Sequence, residues 1–175
     1  MATYQVDTSH SEIGFTVRHM MFAKVRGQFK TWTARVAYDA ASPTKSTVDV
    51  DVDVASIDTR EAQRDGHLRS PDFFDAEKFP KMTFKSKRIE PAGTNQYKVV
   101  GDLTIRDVTR EVTLDVEQTG AGKDPWGNAR MGFSARTSIH RGEWGLKWNQ
   151  ALETGGVLVS DKVDVEVEAQ VVEKK

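Results

Sequence analysis

The sequence of 175 residues contains no cysteine. This absence excludes disulfide bonds, thiolate zinc sites, thiol nucleophiles and cysteine-ligated iron–sulfur clusters. Neither sign of charge predominates, because 25 Lys and Arg residues stand against 26 Asp and Glu residues, for a formal net charge of −1. Such a balance gives no general electrostatic attraction to nucleic acid, and we therefore expect no nucleic-acid partner.

Long apolar runs are also missing from the sequence. No stretch of about 18 apolar residues occurs, so we expect no stable insertion into a membrane. Residues 1–7 lack the basic and apolar segments of a secretory signal peptide, which predicts a cytoplasmic protein. If a signal peptide were removed from the natural precursor, the mature protein would instead be periplasmic or secreted.

The dominant pattern that the sequence does contain is an alternation of apolar and polar residues. In residues 47–54, four valines alternate with three aspartates. A strand separates such residues onto two faces, whereas a helix would scatter them around its circumference. The same pattern predicts eight long strands, over residues 12–20, 25–38, 47–54, 81–90, 96–106, 109–118, 129–140 and 163–171. A change of parity between Phe29 and Trp32 predicts a β-bulge within the second strand.

Eight long amphipathic strands in succession favour an all-β fold, an eight-stranded antiparallel up-and-down barrel. Closure of the sheet removes its exposed edges, and a barrel of this size is about wide enough for one small ligand. Strands of about ten residues tilted by about 40° give a depth near 25 Å, which suits a chain-like ligand. A membrane barrel has the same alternation with its faces reversed, but opposite charges on neighbouring strands favour a charged face towards water.

Residues 58–80 lack this period and predict a short helical insertion between strands 3 and 4. Asp58 or Thr59 is the expected cap of a helix over residues 60–69, which Gly66 weakens. In an up-and-down meander, alternate connections share one end of the barrel. The two longest connections, 58–80 and 141–160, therefore lie together, and long loops in compact domains are usually functional. We expect the mouth of the barrel at this end.

Four histidines, His10, His19, His67 and His140, raise the possibility of a metal centre. Their spacings match no metal-binding motif, and we expect no metal and no cofactor. Phosphate-binding loops, nucleophile elbows and metalloprotease motifs do not occur, and we expect no catalytic residues. Two alternatives stay open. One is an enzyme that acts on a lipid at the mouth, with His19 or His67 as acid or base. The other is a partner-binding module whose barrel is filled by its own side chains.

Several segments, taken together, resemble the YceI-like family. They are DTSHS at residues 7–11, IGFTVRH at 13–19, VRGQF at 25–29, SIDT at 56–59, RDGHL at 64–68, SPDFFD at 70–75, GDLTIRDVT at 101–109 and IHRGEWG at 139–145. Asp107 stands where the family usually has Gly, and Trp144 stands where Phe is frequent. The resemblance covers nearly the whole chain. It implies a single domain over residues 1–175, a lipocalin-like barrel that holds a polyisoprenoid or another long-chain lipid, without an established enzyme activity.

Together these observations predict non-enzymatic binding, storage or transport of a long apolar ligand, with a polyisoprenoid as the expected class. Burial of the tail against apolar side chains would supply the affinity. The inward-facing residues expected to line the tail are Phe15, Val17, Phe29, Trp32, Met82, Phe84, Leu103, Ile105, Leu114, Met131 and Phe133. A polar or anionic head group is expected at the mouth, beside His19, Arg64, His67, Arg141 and Trp144. The sequence leaves the oligomeric state open, including a homodimer.

Overall fold

The structure is a computed structural model that describes residues 1–150, 152 and 158–175. Strands account for most of these residues, which also include one α-helix, α1 (Ala62–Arg69). The strands are β1 (Ala2–Val6), β2 (Glu12–His19), β3 (Ala23–Phe29), β4 (Trp32–Tyr38), β5 (Thr47–Asp53), β6 (Ile57–Asp58), β7 (Lys81–Gly93), β8 (Gln96–Ile105), β9 (Val108–Lys123), β10 (Ala129–His140) and β11 (Lys162–Glu173). Within the described residues, no helix is long and apolar enough to cross a membrane.

The strands form one antiparallel sheet that closes on itself. The order β4-β5-β7-β8-β9-β10-β11 runs around the sheet, and β11 then pairs with both β1 and β2. β1 pairs with β4 and closes one end of the ring, whereas β2 pairs with β3, which pairs with β6, at the other end. If β1 and β2, β3 and β4, and β5 and β6 are each counted as one interrupted strand, the predicted eight-stranded up-and-down barrel is confirmed.

Strand pairing explains why the alternating pattern was so regular. On β5, Val50 lies between Ala34 and Phe84 of the neighbouring strands, and its side chain points into the barrel. The preceding residue, Asp49, points to the outer face and lies between Arg35 and Lys85. Opposite charges side by side on the outer face are mildly stabilising, while the apolar residues share the interior. The apolar and charged residues of the alternating pattern therefore form the inner and outer faces of the barrel wall.

The second predicted strand, residues 25–38, is two strands and contains no bulge at the predicted position. The chain leaves the sheet at Lys30 and Thr31, whose backbone N–H groups donate to Ser56 O and Ser56 Oγ at 3.2 and 3.0 Å. Alternation could not reveal this break, because the residues that hold it lie in the connection after β5. The sequence interpretation also missed β1, which has only five residues and is separated from β2 by a 3₁₀ turn, Thr8–His10.

Helix α1 lies across one end of the barrel and confirms the predicted helical insertion between predicted strands 3 and 4. The Glu61 carboxylate caps it by accepting hydrogen bonds from the backbone N–H groups of Gln63 and Arg64 at 3.2 and 2.7 Å. The expected caps, Asp58 and Thr59, lie earlier in the chain and do not serve this role. Buried Asp65 instead accepts hydrogen bonds from the backbone N–H and the hydroxyl of Thr59, which fixes the helix to the end of β6.

An ion-pair network holds the opposite end of the barrel, which we call the closed end. Arg130 donates from Nε to Asp124 Oδ2 at 2.8 Å and from Nη1 to Asp7 Oδ2 at 2.9 Å. The guanidinium, followed by the Asn128 N–H, lowers the pKa of Asp124 to about 2. Hydrogen bonds from the Ser9 hydroxyl, then from His10 and Arg130, hold the pKa of Asp7 well below its usual range. The network therefore joins the N-terminal strand to the β9–β10 turn.

Candidate functional site

The barrel encloses an apolar cavity of about 680 Å³ that reaches the end covered by α1. This volume lies within the range of about 300–1,000 Å³ that is typical of small-molecule sites. The cavity's charged, amide and histidine side chains lie where it meets α1, the end of β2 and the β10–β11 connection, and include Gln63, Arg64 and His67; Thr83 and Thr137 are polar residues of the wall itself. We call this end the portal. The site is therefore an apolar tube with a polar rim, a shape that fits an apolar chain with a polar terminus.

Most residues predicted to contact a tail lie in the wall of this cavity. Because β-strand side chains alternate, these residues reach the interior at every second position of their strands. They are Phe15, Val17, Phe29, Met82, Phe84, Leu103, Ile105 and Leu114. Val163, Val165 and Val167 of the C-terminal alternating run also line the wall, as do Val50 and Val52 of the valine–aspartate run. The sequence pattern had placed all of these valines on one face but had not assigned them to the site.

Three predicted tail residues lie elsewhere in the barrel. Trp32 and Phe133 line a second, smaller cavity of about 160 Å³ towards the closed end. Met131 lines neither cavity and packs in a core cluster with Tyr4 and Val171. Alternation correctly predicted that all three face inwards. It could not predict their depth along the barrel, which depends on register and strand tilt.

The ring of Phe84 stands between the two cavities. Phe84 and Leu114 line both of them, so their side chains form part of the partition. A Cβ at Gly101 would lie 2.6 Å from the Phe84 ring and 2.4 Å from Lys85 O. The Phe84 ring therefore fills the space over the glycine. The partition is held in place from the barrel wall.

At the portal, His67 is held within an aromatic group. Its Nε2 lies 2.9 Å from Asp72 Oδ2, and its ring packs edge-to-face against Trp148 and Phe73, with centroids 4.6 and 5.1 Å apart. Trp148 lines the cavity but was not among the predicted site residues. His19, at the end of β2, lines the same cavity. The topology thus brings together residues from β2, α1 and the β10–β11 connection, as the meander predicted.

Arg64 reaches the rim from α1. Its Nε donates to Thr59 Oγ1 and its Nη2 to Thr59 O, both at 2.7 Å. Within the described residues, no carboxylate lies within 4 Å of this guanidinium. These two hydrogen bonds orient the side chain and leave its Nη1 group without a protein partner among those residues. Arg64 therefore presents a fixed donor at the rim. The residue that orients it, Thr59, was predicted from the sequence only as a helix cap.

Arg141 lies at the cavity wall, but its guanidinium serves the protein itself. Nε donates to Ser160 O at 2.9 Å, and Nη1 donates to Leu146 O at 2.7 Å and to Trp148 O at 2.9 Å. Nη2 donates to Val159 O at 3.3 Å. Only one of its five N–H groups is left, so Arg141 cannot bind the expected head group through two parallel hydrogen bonds. Burial lowers the pKa of Arg141.

Trp144 is a structural residue, which corrects its predicted place at the portal. Its side chain is fully buried and packs with Phe73, Ile105 and Leu146. The indole Nε1 donates to Leu103 O at 2.9 Å, so the polar atom of the ring is satisfied as well. Sequence could place Trp144 at this end of the barrel, but not decide between the rim and the core beneath it.

Comparison with known proteins agrees with this architecture. A UPF0312 protein of Staphylococcus epidermidis is 40% identical over 171 residues, which cover 97% of each chain. The crystal structure of BcnA from Burkholderia cenocepacia superposes with a TM-score of 0.83 at 28% identity, over 94% of this chain and 98% of that one. A polyisoprenoid binding domain from Saccharophagus degradans superposes with a TM-score of 0.73 over 99% and 100% of the two chains. Its 14% identity establishes only a shared fold.

The family assignment rests on the whole barrel. The profile of the YceI-like domain matches residues 4–171, which run from β1, the strand that closes the ring, to β11. The matched region therefore includes all of β2 to β10, most of β1 and β11, and every described residue of the portal. With this match and a relative of the same length at 40% identity, the chain belongs to the YceI-like family.

Proposed function

We propose that this protein binds and carries a long apolar chain, with a polyisoprenoid as the ligand class. The observation that carries the proposal is the largely apolar cavity inside the barrel, about 680 Å³ in volume, whose charged and amide side chains lie at the portal. Burial of apolar ligand surface contributes roughly 25 cal/mol per Å², so a chain that fills the tube gains most of its affinity from the wall. The name of the Saccharophagus degradans domain supports the choice of ligand class.

The head of the ligand would lie at the rim beside Arg64, Gln63 and His67. Arg64 has a free donor group among the described residues, and the Gln63 side chain lies at the same edge of the cavity. A single oriented guanidinium suits a head group with one or two hydrogen-bond acceptors. Because Arg141 is already occupied, the rim offers no pair of arginines to clamp a multiply charged group. We therefore propose a small polar head group such as a carbonyl or hydroxyl.

The partition at Phe84 sets how far the tail extends. A ligand confined to the main cavity ends at this partition, to which Ile13, Val50 and Val167 also contribute because they line both cavities. The Phe84 ring packs directly over Gly101, where a side chain on that residue would collide with it. A longer chain would need this ring to move in order to enter the second cavity of about 160 Å³. Phe84 is therefore the proposed determinant of chain length.

The test is native mass spectrometry of gently purified protein, followed by organic extraction and identification of the released compound. Leu103→Trp places a larger side chain in the cavity, at a cost of about 1–3 kcal/mol that a domain with about 5–15 kcal/mol of stability can tolerate. Asp102→Trp is the matched control, because Asp102 is on the outer face of the same strand. We expect a bound chain in the wild type and the control, and none in Leu103→Trp.

Two results would contradict the proposal. If Leu103→Trp folds and keeps the same amount of ligand as the wild type, the ligand does not lie in this cavity. If the wild type converts an added lipid into a product and His67→Gln abolishes the conversion, the protein is an enzyme that acts at the mouth. An apolar chain recovered unchanged and at one per protein supports the carrier role.

A further inference from the structure

The turn between β2 and β3 presents three apolar side chains to water at the portal end. Met20, Met21 and Phe22 are exposed to 40%, 56% and 73%. Among the described residues, the other strongly exposed large apolar side chains are Met1 and Trp126, which lie away from this turn. Single exposed apolar residues are common on proteins, but a contiguous group at the tip of a hairpin marks an interaction site.

The backbone of the turn does not explain these residues. Met20 and Met21 have φ angles of 54° and 71°, and the Phe22 N–H donates to His19 O at 3.3 Å. Two successive residues with positive φ favour Gly and Asn, the residues that adopt this conformation most readily. The Cβ of a methionine makes this conformation unfavourable. A sequence optimised only for the turn would not carry Met-Met, which indicates that the side chains serve a function.

Basic residues stand directly behind the apolar tip. Arg18 and Lys24 pair across β2 and β3 one position below His19, and both are exposed. Within the described residues, neither has a carboxylate within 4 Å. Lys162 begins the adjoining strand β11 at the same end, with Asp164 at 3.7 Å. An apolar tip backed by exposed cations is complementary to an anionic bilayer, whose surface attracts Lys and Arg and whose interior accepts apolar side chains.

The turn is also continuous with the rim of the cavity. His19 lines the cavity directly before Met20, and the Met20 N–H donates to Leu158 O at 2.8 Å. Leu158 lines the cavity as well. Whatever surface the tip contacts is therefore brought next to the opening.

We propose that the β2–β3 turn docks the protein reversibly onto an anionic lipid bilayer, with the portal facing the membrane. Met21 and Phe22 enter the apolar layer, while Arg18 and Lys24 contact the head groups. This inference goes beyond ligand binding. A role of docking in loading the barrel with its ligand rests on the proposed function: an apolar chain would then pass from the bilayer into the barrel without crossing water. Docking itself requires no ligand in the cavity.

The first test measures partitioning onto vesicles of equal parts phosphatidylcholine and phosphatidylglycerol, with pure phosphatidylcholine for comparison. We expect binding to the anionic vesicles that weakens about tenfold in Phe22→Ser, because each factor of ten corresponds to about 1.4 kcal/mol and a buried phenyl ring supplies at least that. Trp126→Ser is the matched control, since Trp126 is exposed to 81% in the β9–β10 turn at the closed end. It should bind as the wild type does.

A second variant separates docking from folding. Met20→Asn combined with Met21→Gly places residues that accept positive φ at both positions, so we expect an equal or higher melting temperature together with weaker vesicle binding. The natural lack of cysteine permits a third readout, an environment-sensitive fluorophore on Phe22→Cys or on Trp126→Cys. Only the label at position 22 should shift to the blue with anionic vesicles.

The proposal is wrong if the wild type does not bind these vesicles, or if Phe22→Ser and the Asn-Gly variant bind equally well. It is also wrong if sedimentation equilibrium shows self-association that Phe22→Ser abolishes while vesicle binding persists, because the tip would then contact a second copy. Leu103→Trp distinguishes this proposal from the carrier role. If it binds vesicles normally but holds no ligand, docking and ligand binding are separate properties, as we expect.

Discussion

Replacement of Arg141 by alanine tests whether the portal is held together by a buried guanidinium. The Arg141 side chain reaches four backbone carbonyl groups, which belong to residues 146, 148, 159 and 160. It thus joins the start of the β10–β11 connection to the segment that leads into β11. Its guanidinium also packs over the Phe73 ring, 5.6 Å from the ring centre. Removal of the side chain takes away donors and packing at once.

The expected loss of stability follows from the number of carbonyl groups that lose a hydrogen-bond donor. Val159 O keeps a second hydrogen bond, from Asn149 Nδ2 at 2.7 Å. The other three lose the donor that Arg141 supplies. An unsatisfied buried polar group costs about 1–3 kcal/mol, and water that enters the vacated space offsets part of this. We therefore expect Arg141→Ala to lower the free energy of unfolding by about 3–5 kcal/mol, a large share of the roughly 5–15 kcal/mol of a typical domain.

Urea unfolding measures this loss, and hydrogen exchange locates it. Exchange should accelerate first in residues 142–150, because the carbonyl groups of Leu146 and Trp148 lose the guanidinium that anchors this segment. Arg136→Ala is the control: Arg136 is exposed on β10, the strand that ends directly before Arg141, and its removal should change stability by less than about 0.5 kcal/mol. Arg141→Lys should fall between the two, since one ammonium cannot reach all four carbonyls. A loss below about 1 kcal/mol in Arg141→Ala, with unchanged exchange, would refute the structural role and return Arg141 to the ligand site.

Three further predictions concern folding. Gly101→Ala should destabilise by at least about 1–3 kcal/mol in urea unfolding, because the new Cβ meets a backbone oxygen at 2.4 Å, whereas Gly66→Ala, open to solvent within α1, should stabilise by about 0.4–1 kcal/mol. Because the pKa of Asp124 is lowered in the folded protein, its ionised carboxylate stabilises the fold above the unfolded pKa near 4, and this stabilisation is lost as pH falls through about 2. In Asp124→Asn the melting temperature should therefore fall less steeply with pH over this window. Thr59→Val removes the hydroxyl that donates to buried Asp65 and should cost about 1–3 kcal/mol, measured by urea unfolding; an unchanged midpoint would contradict this role.

The sequence predicted the fold well because the barrel wall is a local pattern. A strand with one face in water and one face buried must alternate, and the valine–aspartate run at residues 47–54 shows this with little ambiguity. The order of the strands in a meander follows from the chain, so the sequence also predicted which connections share the portal. The sequence did not predict β1, because five residues are too few to show a clear alternation, although Tyr4 of this strand is buried in the closed-end core.

The same alternation predicted which residues face the interior, and most of the expected tail residues do line the main cavity. It could not divide the interior along the barrel axis. Met131 and Trp32 face inwards like Phe15, but the register between strands places them deeper, in the closed-end core or beside the second cavity. Depth is a property of pairing and tilt, which no single strand contains.

The tertiary structure alone decided what the polar residues of the portal do. A sequence shows that Arg64 and Arg141 reach the same end of the barrel, and both have the same chemistry. Only the folded chain places the carbonyls of residues 146, 148, 159 and 160 around Arg141 and leaves Arg64 with a group directed to the rim. Apolar burial is set by local alternation, whereas the partner of a buried polar group is set by distant segments that meet only when the barrel closes.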